Sequence, residues 1–293
     1  MCIGALARHY KIFTPENQPQ LTKLVLNIAY PAMILSGVTG KGAHIEGSEL
    51  AYACLVIAVM LAILLLCARL LPFVLRYPQE QRAIINVMCI CTNIGFMGVP
   101  LIDNIYGKDA LIYVTLLLIP CNLLFYSYVI AAIKASGSQA EPFHLTSLAN
   151  TGMVACVLAI VLYLTNIKLP YIVAQSINML GSMTGPLAMM LLGSFLIDTE
   201  WKSIVNSKII AFTLIKMLLM PIGIILLLGQ FVHNTYLLAA CMAVLATSSG
   251  NVLPLLAAMY NKDAYPVAVQ GVALTNAVAV VTIPLVASAT GLG

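Results

Sequence analysis

Almost the whole chain is built of apolar runs about as long as a bilayer's hydrocarbon core is thick, and nothing else narrows the fold as far. Crossing ~30 Å of hydrocarbon in helical form takes about 20 apolar residues. Such runs occupy residues 21–40, 50–75, 83–104, 109–133, 147–166, 170–197, 208–230, 235–259 and 264–290. An apolar stub at residues 2–7 precedes them, too short to span and closed by Arg8, His9, Lys11 and the turn-forming Thr14-Pro15-Glu16-Asn17. In hydrocarbon every backbone N–H and C=O must be satisfied within the protein, which leaves helices or closed barrels. The run lengths select helices. Composition agrees: 61% of residues are hydrophobic and 8% charged, against roughly a quarter charged in a soluble domain. The net charge of +4 is small and dispersed, which excludes nucleic acid as a partner. No room remains for a separate soluble domain, and the most polar connection is 134–146, containing Ser136-Gly137-Ser138-Gln139.

The eight cysteines, Cys2, Cys54, Cys67, Cys89, Cys91, Cys121, Cys156 and Cys241, fall in apolar runs and read as small packing residues rather than a disulfide framework. Cys89 and Cys91 form a CxC, but a metal site needs further Cys or His at set spacings, and the four histidines lie far apart. A membrane-embedded enzyme would need clustered His, Asp, Glu or Cys inside the bilayer. The chain lacks such a cluster, so neither catalysis nor a cofactor is expected.

One segment occurs twice. Pro100-Leu101 followed by Tyr106-Gly107-Lys108-Asp109-Ala110 matches Pro254-Leu255 followed by Tyr260-Asn261-Lys262-Asp263-Ala264, without gaps. At the same offset Asn122 corresponds to Asn276, and proline recurs earlier in each half at Pro31 and Pro186. Five spans separate the copies, so they enter the membrane from opposite sides. The cations agree. Arg8, Lys11, Lys23, Arg69, Arg76, Arg82, Lys134, Lys202, Lys208 and Lys262 fall on one set of ends, whereas only Lys41, Lys108 and Lys168 fall on the other. Positive charge marks the cytoplasmic side, which puts the C-terminus outside; the expected location is the inner (plasma) membrane. The expected organisation is an inverted repeat, residues 1–133 and 147–293 joined by a cytoplasmic linker at 134–146, an architecture common in secondary transporters.

Each copy carries a flaw at mid-depth, Cys91-Thr92-Asn93-Ile94-Gly95-Phe96-Met97-Gly98-Val99-Pro100 in the first and Ala246-Thr247-Ser248-Ser249-Gly250-Asn251-Val252-Leu253-Pro254 in the second. Proline removes an N–H and clashes with the preceding turn, and glycine lowers the cost of non-helical angles. Both stretches therefore predict unwound backbone, with Pro100 and Pro254 starting the second half-helices. Such backbone persists in a membrane only where protein or a wet cavity surrounds it. Free amides and positive half-helix ends would attract an anion there. The candidate binding residues are Asn93, Gly95, Gly98, Pro100, Ser248, Ser249, Gly250, Asn251 and Pro254, with Asn122 and Asn276 beside them.

At this point the sequence resembles the auxin efflux carrier family, in its bacterial form with a short central loop. The resemblance spans essentially the whole chain. It rests on Asn93-Ile94-Gly95-Phe96-Met97-Gly98-Val99-Pro100 with Tyr106-Gly107, on Leu274-Thr275-Asn276-Ala277 with Thr282-Ile283-Pro284-Leu285, and on Asn27-Ile28-Ala29-Tyr30-Pro31-Ala32 and Leu192-Gly193-Ser194. It implies an all-α integral membrane fold on a ten-helix plan, two inverted five-helix repeats with broken, crossing fourth and ninth helices. Of the family's first helix only Gly4-Ala5-Leu6-Ala7-Arg8 is matched, so that helix is expected to be truncated. The implied partners are a small carboxylated anion and membrane lipid, with a homodimer admissible.

Single residues carry further expectations. Lys216, a cation well inside a span, reads as a counter-charge or as a lysine snorkelling to the interface, the second favoured. Asp103, just past the first break, is a candidate proton-coupling carboxylate or a solvated residue near a helix end. Asp109 and Asp263 read as helix caps, and Tyr106 and Tyr260 as interface aromatics. The expected function is a permease that moves a small organic anion by alternating access. A sodium-coupled symporter of the bile-acid type and a transport-inactive sensor or scaffold are the rivals.

Overall fold

The computed structural model describes residues 2–39, 47–136, 151–165, 167, 169–197 and 206–292. The expectations for Lys41, Lys168 and Lys202, for the linker beyond Ser136, and for the side chains of Asp103, Lys108 and Asp109 lie outside the described residues. Among the described residues every regular element is a helix. In chain order these are α1 (Cys2–His9), α2 (18–39), α3 (Gly47–Val74), α4 (Gln79–Ile90), α5 (94–106), α6 (108–135) and α7 (Thr151–Thr165). There follow α8 (Tyr171–Ser182), α9 (Thr184–Ile197), α10 (207–229), α11 (Thr235–Ala246), α12 (Leu253–Tyr260) and α13 (Tyr265–Thr290). The expected breaks separate α4 from α5 and α11 from α12. Five helices are long and apolar enough to cross a membrane: α2, α3, most of α6, α10 and α13.

Helix α3 shows why the solvent must be lipid. Its buried stripe, with Ala53, Val56, Met60, Leu64, Ala68 and Leu71, is apolar, and so is its exposed stripe of Leu55, Val59, Leu66, Leu70 and Phe73. A water-soluble helix would carry polar residues on that outer face.

Prolines account for three of the four wide turns among the described residues, Phe125–Val129 being the exception. Wide π turns at Val25–Ala29, Ile94–Gly98 and Ile215–Leu219 each end two residues before a proline, Pro31, Pro100 and Pro221. In each, the residue before the proline donates five residues back: Tyr30 to Val25, Val99 to Ile94 and Met220 to Ile215. The extra residue in the turn moves backbone away from the proline ring, which would otherwise strike the carbonyl four residues earlier. Two expectations change accordingly. Pro100 does not start a half-helix: helical backbone already begins at Ile94, with the wide turn ahead of the proline. The run 170–197 is not one helix either. It bends at Met183, since Pro186 has no N–H to donate to the carbonyl of Ser182.

The chain divides into two compact units. One comprises residues 1–41, 119–204 and 251–269. There, small residues allow backbones to approach: a Cβ on Gly4 would lie 1.9 Å from the carbonyl oxygen of Met190 in α9, and one on Gly181 2.8 Å from Cα of Met33 in α2. Gln18 Nε2 donates to Ser194 Oγ at 3.1 Å, and the rings of Tyr30, Phe125 and Tyr126 pack together with centroids 5.0–5.9 Å apart. Asn261, 1% exposed, donates to Ser136 Oγ at 2.8 Å and accepts from the Ala264 N–H at 3.0 Å. The side-chain bond in the turn leading into α13 is therefore made by Asn261, whose Oδ1 reaches three residues ahead, while Asp263 is exposed. Tyr260 lies under the Lys134 ammonium, 4.7 Å from the ring centroid. The other unit comprises residues 42–118, 205–250 and 270–293 and contains both unwound stretches up to Gly250. Its helix α11 is buried on all sides from Leu237 to Ala246, many of them alanines.

Two glycines in α1 and α10 separate close packing from mere helix propensity. Gly4→Ala is expected to lower stability by roughly 1–3 kcal/mol, because the methyl group meets fixed backbone. Gly223→Ala, where a Cβ meets nothing within 4 Å, is expected to be neutral or to gain up to about 1 kcal/mol. Thermal unfolding of the detergent-solubilised protein measures both.

Candidate functional site

The site begins with two chain segments that have left the helix. Helix α4 ends at Ile90, and Cys91 adopts extended angles (φ −82°, ψ 100°). Helix α11 ends at Ala246, and Thr247 is extended as well (φ −73°, ψ 156°). The two stretches lie antiparallel, with Thr92 facing Ser249. Asn93 N–H donates to the Ser248 carbonyl and Gly250 N–H to the Cys91 carbonyl, both at 2.8 Å. Each break thus satisfies backbone groups that the other exposes. Gly250 is required by this approach, since a Cβ there would meet Cys91 Sγ at 2.6 Å.

Side chains from α4 and α13 complete the pairing. Ser249 N–H donates to Thr275 Oγ1 at 3.2 Å, and Ser249 Oγ donates to the Met88 carbonyl at 2.8 Å. Ser248 Oγ donates to Asn276 Oδ1 at 3.0 Å, and Asn276 Nδ2 donates to the Val272 carbonyl at 2.7 Å. Asn276 thus ties the second break to α13. Gly98 lets α5 pack against α11, for a Cβ there would sit 2.9 Å from Ile94 Cγ1 and 3.4 Å from Ala243 Cβ.

Asn93 stands apart. Its side chain is 3% exposed, and Nδ2 has no hydrogen-bond partner. A buried unpaired amide costs roughly 1–3 kcal/mol, and native folds leave few of them. Asn93 also occupies the N-cap position of α5, where its carbonyl takes the first helical bond, from Met97 N–H at 2.9 Å. The first-turn N–H groups of a helix have no intrahelical acceptor and carry about half a positive charge. An unpaired donor thus adjoins a positive helix end in the interior of the protein.

Lys216 is not at the interface. It is 2% exposed, in the wide turn of α10, and its ammonium donates to the Thr247 carbonyl at the start of the second break. The snorkelling expectation is corrected: the widened turn and the unpaired carbonyl after α11 hold the side chain inside.

The compact unit with the paired breaks thus brings together Asn93, Gly95, Gly98, Ser248, Ser249, Gly250, Asn276 and Lys216, and α5 carries Pro100. Asn122, Asn251 and Pro254 belong to the other unit. Asn122 is 4% exposed, Asn251 Nδ2 approaches Met189 Sδ at 3.2 Å, and Pro254 lies in the first turn of α12 as expected. Thr275 and Thr247 were not singled out in the sequence. The signal for Thr275 lay in its place next to Asn276 and four residues after Gly271, whose carbonyl accepts its hydroxyl at 2.8 Å. Among the described residues no group of three or more His, Cys, Asp or Glu is arranged to hold a metal ion.

The mutual dependence of the breaks is testable by a double-mutant cycle. Gly250→Ala is expected to cost roughly 1–3 kcal/mol of stability by overpacking, and adding Cys91→Ala is expected to recover most of it by removing Sγ. Thermal unfolding of the two single variants and the double variant measures the coupling.

The profile of the family described as membrane transport protein, the auxin efflux carrier family domain, matches residues 1–150 and 140–287. No curated protein matches the chain.

Proposed function

We propose that this chain, which belongs to the membrane transport protein family of auxin efflux carriers and is a multi-pass membrane protein, carries a small organic anion of the carboxylate class by alternating access. One observation carries the reading: the unpaired, buried amide of Asn93 at the N-terminus of α5. A carboxylate accepts several N–H or O–H donors and is favoured by a positive helix end. It would accept from Asn93 Nδ2 and the first-turn amides beside Gly95. Alternating access also needs two bodies within one chain, and two compact units meet that need.

The ten-helix plan of inverted repeats, with residues 1–133 and 147–293 as its halves, remains part of this proposal. So do the inner-membrane location, expected of the bacterial form, and the external C-terminus; the repeat plan and the orientation rest on the repeated segment and the asymmetry of Lys and Arg. The bile-acid-type sodium symporter is less favoured, because a coupling cation needs open oxygen ligands and the Thr247 carbonyl is already held by Lys216. A transport-inactive sensor is the remaining alternative, and it predicts binding without flux.

Thermal-shift screening of purified protein against mono- and dicarboxylates finds the solute, and uptake into proteoliposomes then tests the site. Asn93→Ala is expected to slow uptake about tenfold to a hundredfold, the effect of losing a hydrogen bond to a charged group. Asn93→Asp should slow it further, by repulsion. Uptake at the unaltered rate in both variants would refute the assignment.

A further inference from the structure

We infer that the ammonium of Lys216 is a built-in cation for the second break, standing where an alkali-metal ion would otherwise have to sit. The inference concerns the end of α11 and holds whether or not the transported solute is a carboxylate.

Unwinding α11 creates a cation site. The last carbonyls of a helix lack intrahelical donors and carry about half a negative charge. In transporters with broken helices, unwound carbonyls and half-helix C-terminal ends are the groups that coordinate sodium. Here three carbonyls at that end already hold donors. The Ala243 carbonyl accepts from the Thr247 hydroxyl at 2.8 Å. The Ser248 carbonyl accepts from Asn93 N–H at 2.8 Å. The Thr247 carbonyl between them accepts from Lys216 Nζ.

The setting of Lys216 fits that role better than an ion pair. Lys216 is the one charged side chain among the described buried residues, so no described carboxylate is buried beside it. Its other close contact is the thioether of Met217, at 3.6 Å. The dipole of the Thr247 carbonyl therefore faces the charge, as it would face an alkali ion. A tethered ammonium holds the position permanently, without a concentration requirement and without a coupling gradient. Lys216 is thus a positioning residue for the break, acting through the Thr247 carbonyl.

The test uses the purified full chain in detergent and needs no transported solute, so its failure is distinct from failure of the carboxylate reading. Thermal unfolding, followed with a thiol-reactive dye, is compared in sodium, potassium, methylammonium and choline chloride at one ionic strength. The unaltered protein is expected to unfold at the same temperature in all four. Lys216→Ala is expected to lose roughly 5 °C or more in choline and to regain about half of that loss in methylammonium or sodium, as a ligand that binds only the folded state stabilises it. Lys216→Met, which fills the space without charge, is expected to lose stability and regain none. A Lys216→Ala protein equally stable in all four salts, or restored as well by choline, overturns the inference. If neither variant can be purified, the unaltered protein decides: stabilisation by sodium over choline overturns the proposal, and insensitivity supports it.

Discussion

Backbone polar groups inside a bilayer have nowhere to go but other protein groups, and the antiparallel pairing of Cys91–Asn93 with Ser248–Gly250 is how this chain meets that demand. Unwinding one helix in hydrocarbon would leave several N–H and C=O groups unsatisfied, at several kcal/mol each. Unwinding two and laying them against each other converts most of that cost into ordinary hydrogen bonds. The surrounding features follow from it. Gly250 must be glycine to let the strands meet, Thr275 and Ser249 close the remaining bonds, and α11 must be small and apolar to lie buried on all sides.

The pairing is incomplete in two places, and both are informative. Asn93 keeps a donor without an acceptor beside a positive helix end, and the Thr247 carbonyl beyond a negative helix end accepts an ammonium instead of an amide. The first break thus offers donors and the second offers acceptors. A pair of broken helices with opposite needs is a polar device in an apolar solvent. Its donor end keeps an amide without an acceptor, and its acceptor end holds an ammonium of the chain itself.

Proline tied sequence to local structure more closely than any other residue, but not in the simplest way. Pro254 sits in the first turn of α12, where its missing N–H costs nothing. Pro31, Pro100 and Pro221 instead lie within continuing helices, each preceded by a wide turn that absorbs the ring. Both outcomes satisfy the same steric rule, and the choice depends on whether neighbouring backbone can take up the freed bonds. At Ser248–Gly250 the facing strand does so, whereas Ile94–Gly98 solves the problem within its own turn.

By itself the sequence determined the solvent, the element type and the positions of the breaks. Apolar runs of bilayer length, apolar on every face, can only be membrane helices, and Gly with Pro in mid-run can only weaken them. It also pointed to Asn93, Ser248 and Asn276, since amides and hydroxyls in such runs need a reason to be there. Only the tertiary structure decided which groups pair. That the Asn93 amide stays unpaired while Ser248 finds Asn276, that Lys216 turns inward to Thr247, and that Asn261 reaches Ser136 all depend on partners distant in the chain. A hydrogen bond is set by distance and direction in space, and spacing along the chain fixes neither once the segments have left the helix.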